Sequence, residues 1–211
     1  MKYIFVYLVC FCIFCAWLFY EQRKSSRIQK KASEEFWARE ELANSTRKKD
    51  ISDLPLIQVE EGEIPFLETP DESITNYIGQ LRQIIKEPML DLSDYSNTDL
   101  KLAYGVGNFK TLSEYDENFN TFLVALTNLA RSYERGGYHE QAKDTYLTAL
   151  RHGSRRAGDY EELAKVWLAL GRPDEVTSLI HDLEKGDHPR KDSIISLLRQ
   201  VLDHADSRRM V

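Results

Sequence analysis

The side chains that could carry chemistry in this 211-residue chain do not converge. Its five histidines stand at positions 139, 152, 181, 188 and 204. There is no His-Glu-x-x-His pair one helical turn apart, no His-x-His, and no cysteine beyond Cys15 to complete a metal shell, so transition-metal catalysis has no support. His152 follows Arg151 at the end of an expected helix, where positive charge complements the helix dipole. Acidic residues number 34, enough for chance pairs, and none lies in a segment that reads as buried, where a raised pKa would make a general acid. No Gly-x-Ser-x-Gly elbow occurs, and no Ser-x-x-Lys opens a helix with a supporting motif, so a hydrolase nucleophile is not indicated. Gly105-Val106-Gly107 lacks the third glycine, the preceding strand and the following lysine of a phosphate loop and reads as a turn. Arg151, Arg155 and Arg156 are the sharpest basic cluster, suited to a phosphate or an acidic peptide, although a turn between helices is ordinarily just polar and exposed. The expectation is no enzyme, no cofactor and no metal.

What remains is how the elements are organised. Tyr3 to Tyr20 are 18 consecutive apolar residues without charge, proline or glycine; as a helix they reach about 27 Å, close to a hydrocarbon core of about 30 Å. Tyr3, Tyr7, Trp17 and Tyr20 suit the two interfaces. A secretory signal is the rival, but the run exceeds an ordinary apolar signal core and Ala16 is preceded by Cys15 and Phe14, which make no small-x-small cleavage site. The expectation for residues 1–20 is an uncleaved single transmembrane anchor. The three cysteines at 10, 12 and 15 read as small apolar filler. Lys2 stands alone before the run, whereas Arg23, Lys24, Arg27, Lys30 and Lys31 follow it, so the positive-inside rule places the C-terminal domain in the cytoplasm, at the cell membrane. Residues 1–50 carry ten Lys or Arg against six Asp or Glu, and residues 51–211 carry 18 against 28. An acidic soluble part excludes strong nucleic-acid binding.

Residues 21–50 mix both charges and read as a helical stalk, with Phe36 and Trp37 resting at the bilayer surface. Residues 51–72, with Pro55, Pro65 and Pro70 among glutamates, read as an acidic linker with one extended segment packing back. Its acid cluster is either solvated or a dock for a basic partner. Residues 73–121 form an N-terminal helical cap region: Ile74, Tyr77, Ile78, Leu81, Ile84 and Ile85 recur at helical spacing, and Ser96, Thr98 and Asp99 open a shorter helix ended by Gly105 and Gly107.

From Phe122 the chain overlays on itself after a shift of 34 residues. Leu129 falls on Leu163, Ala130 on Ala164, Tyr133 on Trp167, Gly137 on Gly171, Ala142 on Val176 and Tyr146 on Ile180. Side-chain size recurs rather than identity, which is what stacked helical hairpins require. Each glycine ends a first helix, and Pro173 opens a second, where its missing N–H costs little.

On these positions residues 122–188 resemble two tetratricopeptide (TPR) repeats. Leu129, Ala130, Tyr133, Gly137, Ala142, Tyr146 and Ala149 carry the first, and Leu163, Ala164, Trp167, Gly171 and Pro173 the second. Leu126 and Tyr160 depart from the pattern where helix A opens, and Ser154 replaces the terminal proline. Two repeats need capping, and Ile194, Leu197, Leu198, Val201 and Leu202 supply a capping helix in residues 189–211. The resulting fold class is all-α: an N-terminal transmembrane helix followed by a short TPR-like solenoid with capping helices, similar to small membrane-anchored bacterial TPR proteins.

The resemblance implies a concave groove that binds a peptide or partner protein, lined by Val124, Thr127, Asn128, Arg131 and Arg135 in the first repeat and by Glu161, Lys165 and Leu168 in the second. Asn128 matches the asparagine of the family's carboxylate-gripping subset, but Gly158 and Glu162 stand where its basic residues belong. The function implied is a membrane-tethered scaffold or adaptor. The alternative is an extracytoplasmic TPR chaperone or envelope-assembly factor of opposite topology.

Overall fold

In the computed structural model, which describes the backbone of residues 2–209 and their side chains except at residues 2–10, 12, 28, 206, 208 and 209, the architecture is all-α. The helices are α1 (Lys2–Ser45), α2 (Glu72–Ile84), α3 (Asn97–Tyr104), α4 (Phe109–Arg135), α5 (His139–Arg151), α6 (Ala157–Ala169), α7 (Pro173–Lys185) and α8 (Lys191–Arg209). Among the described residues the nearest approach to a sheet is an isolated antiparallel bridge between Ile57 and Met89.

The chain forms two compact units, one of residues 1–54 with 93–112 and one of residues 55–92 with 113–211. Residues 73–121, expected to form one cap region, are divided between the units: the helix near residue 74 goes with the hairpins, and the one opened by Ser96 goes with α1.

In the first unit α1 lays Ala43, fully buried, against α3. Arg39 Nη2 approaches Asp99 Oδ1 to 2.5 Å, and Glu40 accepts from Thr98 and pairs with Lys101 at 3.3 Å. Ser96 caps α3 reciprocally with Asp99. These hydrogen bonds, Thr98 on Glu40 and Ser96 on Asp99, hold both carboxyls below their ordinary pKa.

Of the expected anchor Tyr3–Tyr20, the side chains of residues 3–10 and 12 lie outside the described residues, and among the described residues no helix is long and apolar enough to cross a membrane. Phe36 and Trp37 stack edge-on at 5.4 Å and are exposed. The unbroken helix carries them about 24 Å beyond Tyr20.

In the second unit the 34-residue register is visible in the helix ends. α5 and α7 are each 13 residues long and begin and end 34 residues apart. The boundaries of α6 shift the same way onto the last 13 residues of α4. The hairpin corners repeat as well: Gly137 has φ 77° and Gly171 φ 73°. Around them the N–H of Tyr138 bonds the carbonyl of Tyr133 at 2.8 Å, and that of Arg172 bonds Trp167 at 2.8 Å. Only a residue at ease in the left-handed region lets a helix close its last carbonyls this way. Leu129, Ala130, Tyr133, Ala142 and Tyr146 and their shifted counterparts are all buried in one continuous core. α6 packs on α5, α7 and α8, and Ile194 and Leu198 of α8 close that end.

The other end is covered by residues of the stretch expected to be an acidic linker with one extended segment packing back. Val59 and Ile64 join the core with Ile74, Ile78 and Leu81 of α2. The Tyr133 hydroxyl donates to the carbonyl of Pro65 at 2.9 Å and accepts from the N–H of Leu67 at 3.0 Å. Residues 57–69, with a 3-10 turn at Glu61–Glu63, are thus a strap that bonds to α4 and α5. Its acids serve it internally: Glu61 pairs with Arg82 at 2.6 Å, and Glu63 with His152 at 3.4 Å.

Candidate functional site

Two links fix how the first hairpin meets the second. The Thr127 hydroxyl donates to Asp159 Oδ1 at 3.0 Å, and Arg172 holds Glu140 through a contact of 2.6 Å; each spans 32 residues. Asp159 is 1% exposed and also accepts from the Ser154 hydroxyl, so each of its buried carboxyl oxygens has a hydrogen-bond partner, as buried polar groups need. This corrects two expectations. Thr127 does not face a groove, being 4% exposed with its hydroxyl committed to Leu123 and Asp159. And one carboxylate of the chain is deeply buried.

A cleft of about 600 Å³ opens between α6 and α8, lined by Glu161, Lys165, Leu168, Ala169, Val201, His204 and Ala205. Three of the expected groove residues, Glu161, Lys165 and Leu168, therefore share one surface. Val124, Arg131 and Arg135 are exposed and Asn128 is half-buried, but none of these lines it. The opposite wall of α8 was not foreseen. Its signal was Val201, which lies in the apolar stripe yet is only partly buried, and His204 one turn beyond.

The Lys165 ammonium lies 2.8 Å from Glu161 and 3.1 Å from Glu162, and the hydrogen bond it donates to Glu161 leads in raising its pKa. Glu134, near the end of α4, has its pKa raised, first by burial and then by the Glu162 carboxylate. Its charge therefore costs stability above that raised pKa, a cost that disappears as pH falls toward the ordinary carboxylate range.

The basic cluster does not form a single site. Arg151 donates to the Thr148 hydroxyl at 2.9 Å, Arg155 approaches Asp91 at 3.7 Å, and Arg156 precedes the first turn of α6. His152 sits edge-on to Phe122 at 5.4 Å. His188, edge-on to Tyr160, has its pKa lowered by burial and then by Arg155. Among the described residues no group of His, Cys, Asp and Glu could hold a metal ion.

Compared with known proteins, the chain matches no family model, no curated protein and no solved structure.

Proposed function

We propose that this chain is a membrane-tethered interaction scaffold whose TPR-like hairpins bind a peptide or partner protein in the α6–α8 cleft, without catalysis. The tether is the apolar run Tyr3–Tyr20, and the basic flank after it places the hairpins in the cytoplasm. Holding the hairpins at the membrane raises their effective concentration toward a membrane partner, so a shallow groove can suffice.

The observation that carries this reading is the cleft, lined by Leu168, Ala169, Val201 and Ala205 together with Glu161, Lys165 and His204. That composition, mostly apolar with a few directional polar groups, is that of a recognition surface. The TPR-like assignment is supported by the repeat of helix boundaries and corner hydrogen bonds at a fixed 34-residue offset. The groove residues of this proposal are Glu161, Lys165 and Leu168; Asn128, Arg131 and Arg135, expected from the repeat positions, do not line the cleft.

The test is Leu168→Asp with Val201→Asp, compared with the parent by co-purification of the full chain from membranes. Both side chains pack partly against the core, so a urea melt accompanies the test; with the fold retained, two carboxylates in the cleft lining are expected to remove partners that the parent retains, a loss of about tenfold or more. An unchanged set of partners rules the cleft out.

A further inference from the structure

We propose that the occupant of the α6–α8 cleft is a partner segment that places an aromatic side chain between Leu168 and Val201. This rests on the reading of the cleft as a partner-binding surface and adds what the partner must carry.

The register argues for it. α6 starts at Ala157 and α8 at Lys191, again 34 residues apart, and Ile194 and Leu198 of α8 are buried as Tyr160 and Ala164 of α6 are. Tyr133, Trp167 and Val201 therefore hold one position in three successive first helices. The first two are bulky and buried, at 0% and 6% exposure. The third is a short branched side chain, only half-buried, and it lines the cleft. Where the two earlier helices set a ring, this one leaves space.

Size and chemistry argue for what fills it. The cleft measures about 600 Å³, room for an indole or phenyl group with the backbone that carries it. Leu168, Ala169, Val201 and Ala205 offer apolar contact, and an aromatic side chain gains most from such burial, which is why rings so often anchor interfaces. Lys165 also lines the cleft, and an ammonium favours a ring face over an aliphatic chain.

The experiment uses the full chain in detergent micelles and short fluorescein-labelled peptides of one Ala/Ser framework with Trp, Phe, Leu or Ala at the central position. By anisotropy the Trp and Phe peptides are expected to bind about fivefold or more tighter than the Leu peptide, and the Ala peptide weakest. Val201→Trp restores the bulky residue of the other two helices. It should abolish the aromatic preference without lowering the urea midpoint, because the new ring enters existing space. Ala169→Trp plugs the cleft from an exposed position on the opposite wall, where no core contact is at stake. The micelles are common to all three proteins, so partition of a ring into detergent survives the substitutions whereas binding in the cleft does not. A Trp preference that persists in either folded variant overturns the inference, as does a Leu peptide as tight as the Trp peptide. A lower urea midpoint for Val201→Trp shows the space to be filled already and overturns it too. Equal binding of all four peptides, abolished by Ala169→Trp, overturns the aromatic anchor and leaves the cleft standing as a partner surface. No binding by any peptide overturns the cleft reading and this inference with it.

Discussion

Tyr133→Ala is expected to destabilise the hairpin unit by about 4 kcal/mol, in the range for truncating a large core aromatic, and to loosen the strap as well. Tyr133 is fully buried, packs edge-on against Tyr138, and its hydroxyl both donates to Pro65 and accepts from Leu67. Tyr133→Phe separates the two roles. It keeps the ring and strands two strap groups, and should cost about 1–2 kcal/mol. Urea melts followed by far-ultraviolet circular dichroism give the total, and proteolysis near Leu67 reports the strap. If the Phe variant costs as much as the Ala variant, or if the strap is cleaved no faster in either, residues 57–69 are not held by this residue.

The second large effect belongs to the other unit. Gly105 follows α3 with φ 86°, and a Cβ there would stand 2.1 Å from the carbonyl oxygen of Arg47 and 2.7 Å from the Cα of Lys48. Both neighbours are backbone and cannot swing aside. The close approach is fastened by the N–H of Val106 on the carbonyl of Thr46, the N–H of Lys49 on Tyr104 at 3.0 Å, and the Asn108 side chain on the carbonyl of Lys49 at 2.7 Å. Gly105→Ala must therefore push the segment after α1 away and adopt a left-handed conformation as well, for about 2–4 kcal/mol in all. Brief trypsin digestion is the readout, because Arg47, Lys48 and Lys49 are exposed targets. Cleavage there should accelerate severalfold while the fragments of the hairpin unit stay unchanged. An unchanged rate would mean that this contact does not hold the unit together.

The parts of the fold legible in the sequence are those in which one residue type answers to local geometry. Gly137 and Gly171 mark corners because the backbone there needs a left-handed residue, and Tyr133 and Trp167 mark helix faces because a bulky group must fill each hairpin. Ser96 with Asp99 announced the start of α3. What could not be read depends on partners distant in the chain. Ile57, Val59 and Ile64 sit among prolines and glutamates with no helical period, and they are core only because α2, α4 and α5 happen to leave a face for them. Asp159 is ordinary in its own window, and its burial depends in part on Thr127, 32 residues earlier, which donates to it. The same dependence hid half of the cleft. Glu161, Lys165 and Leu168 follow from repeat positions, whereas Val201, His204 and Ala205 line it because α8 turns back along α6.

The claim at the centre is that the repeated hairpins present the α6–α8 cleft to a partner. The most direct measurement is photocrosslinking in intact membranes from a reactive residue at Lys165, on the cleft, and from another at Ser178, an exposed position on α7. A defined adduct should arise from position 165 only, and disappear when Leu168→Asp and Val201→Asp are added. Equal adducts from both positions, or one from position 165 that ignores those two substitutions, would contradict the account.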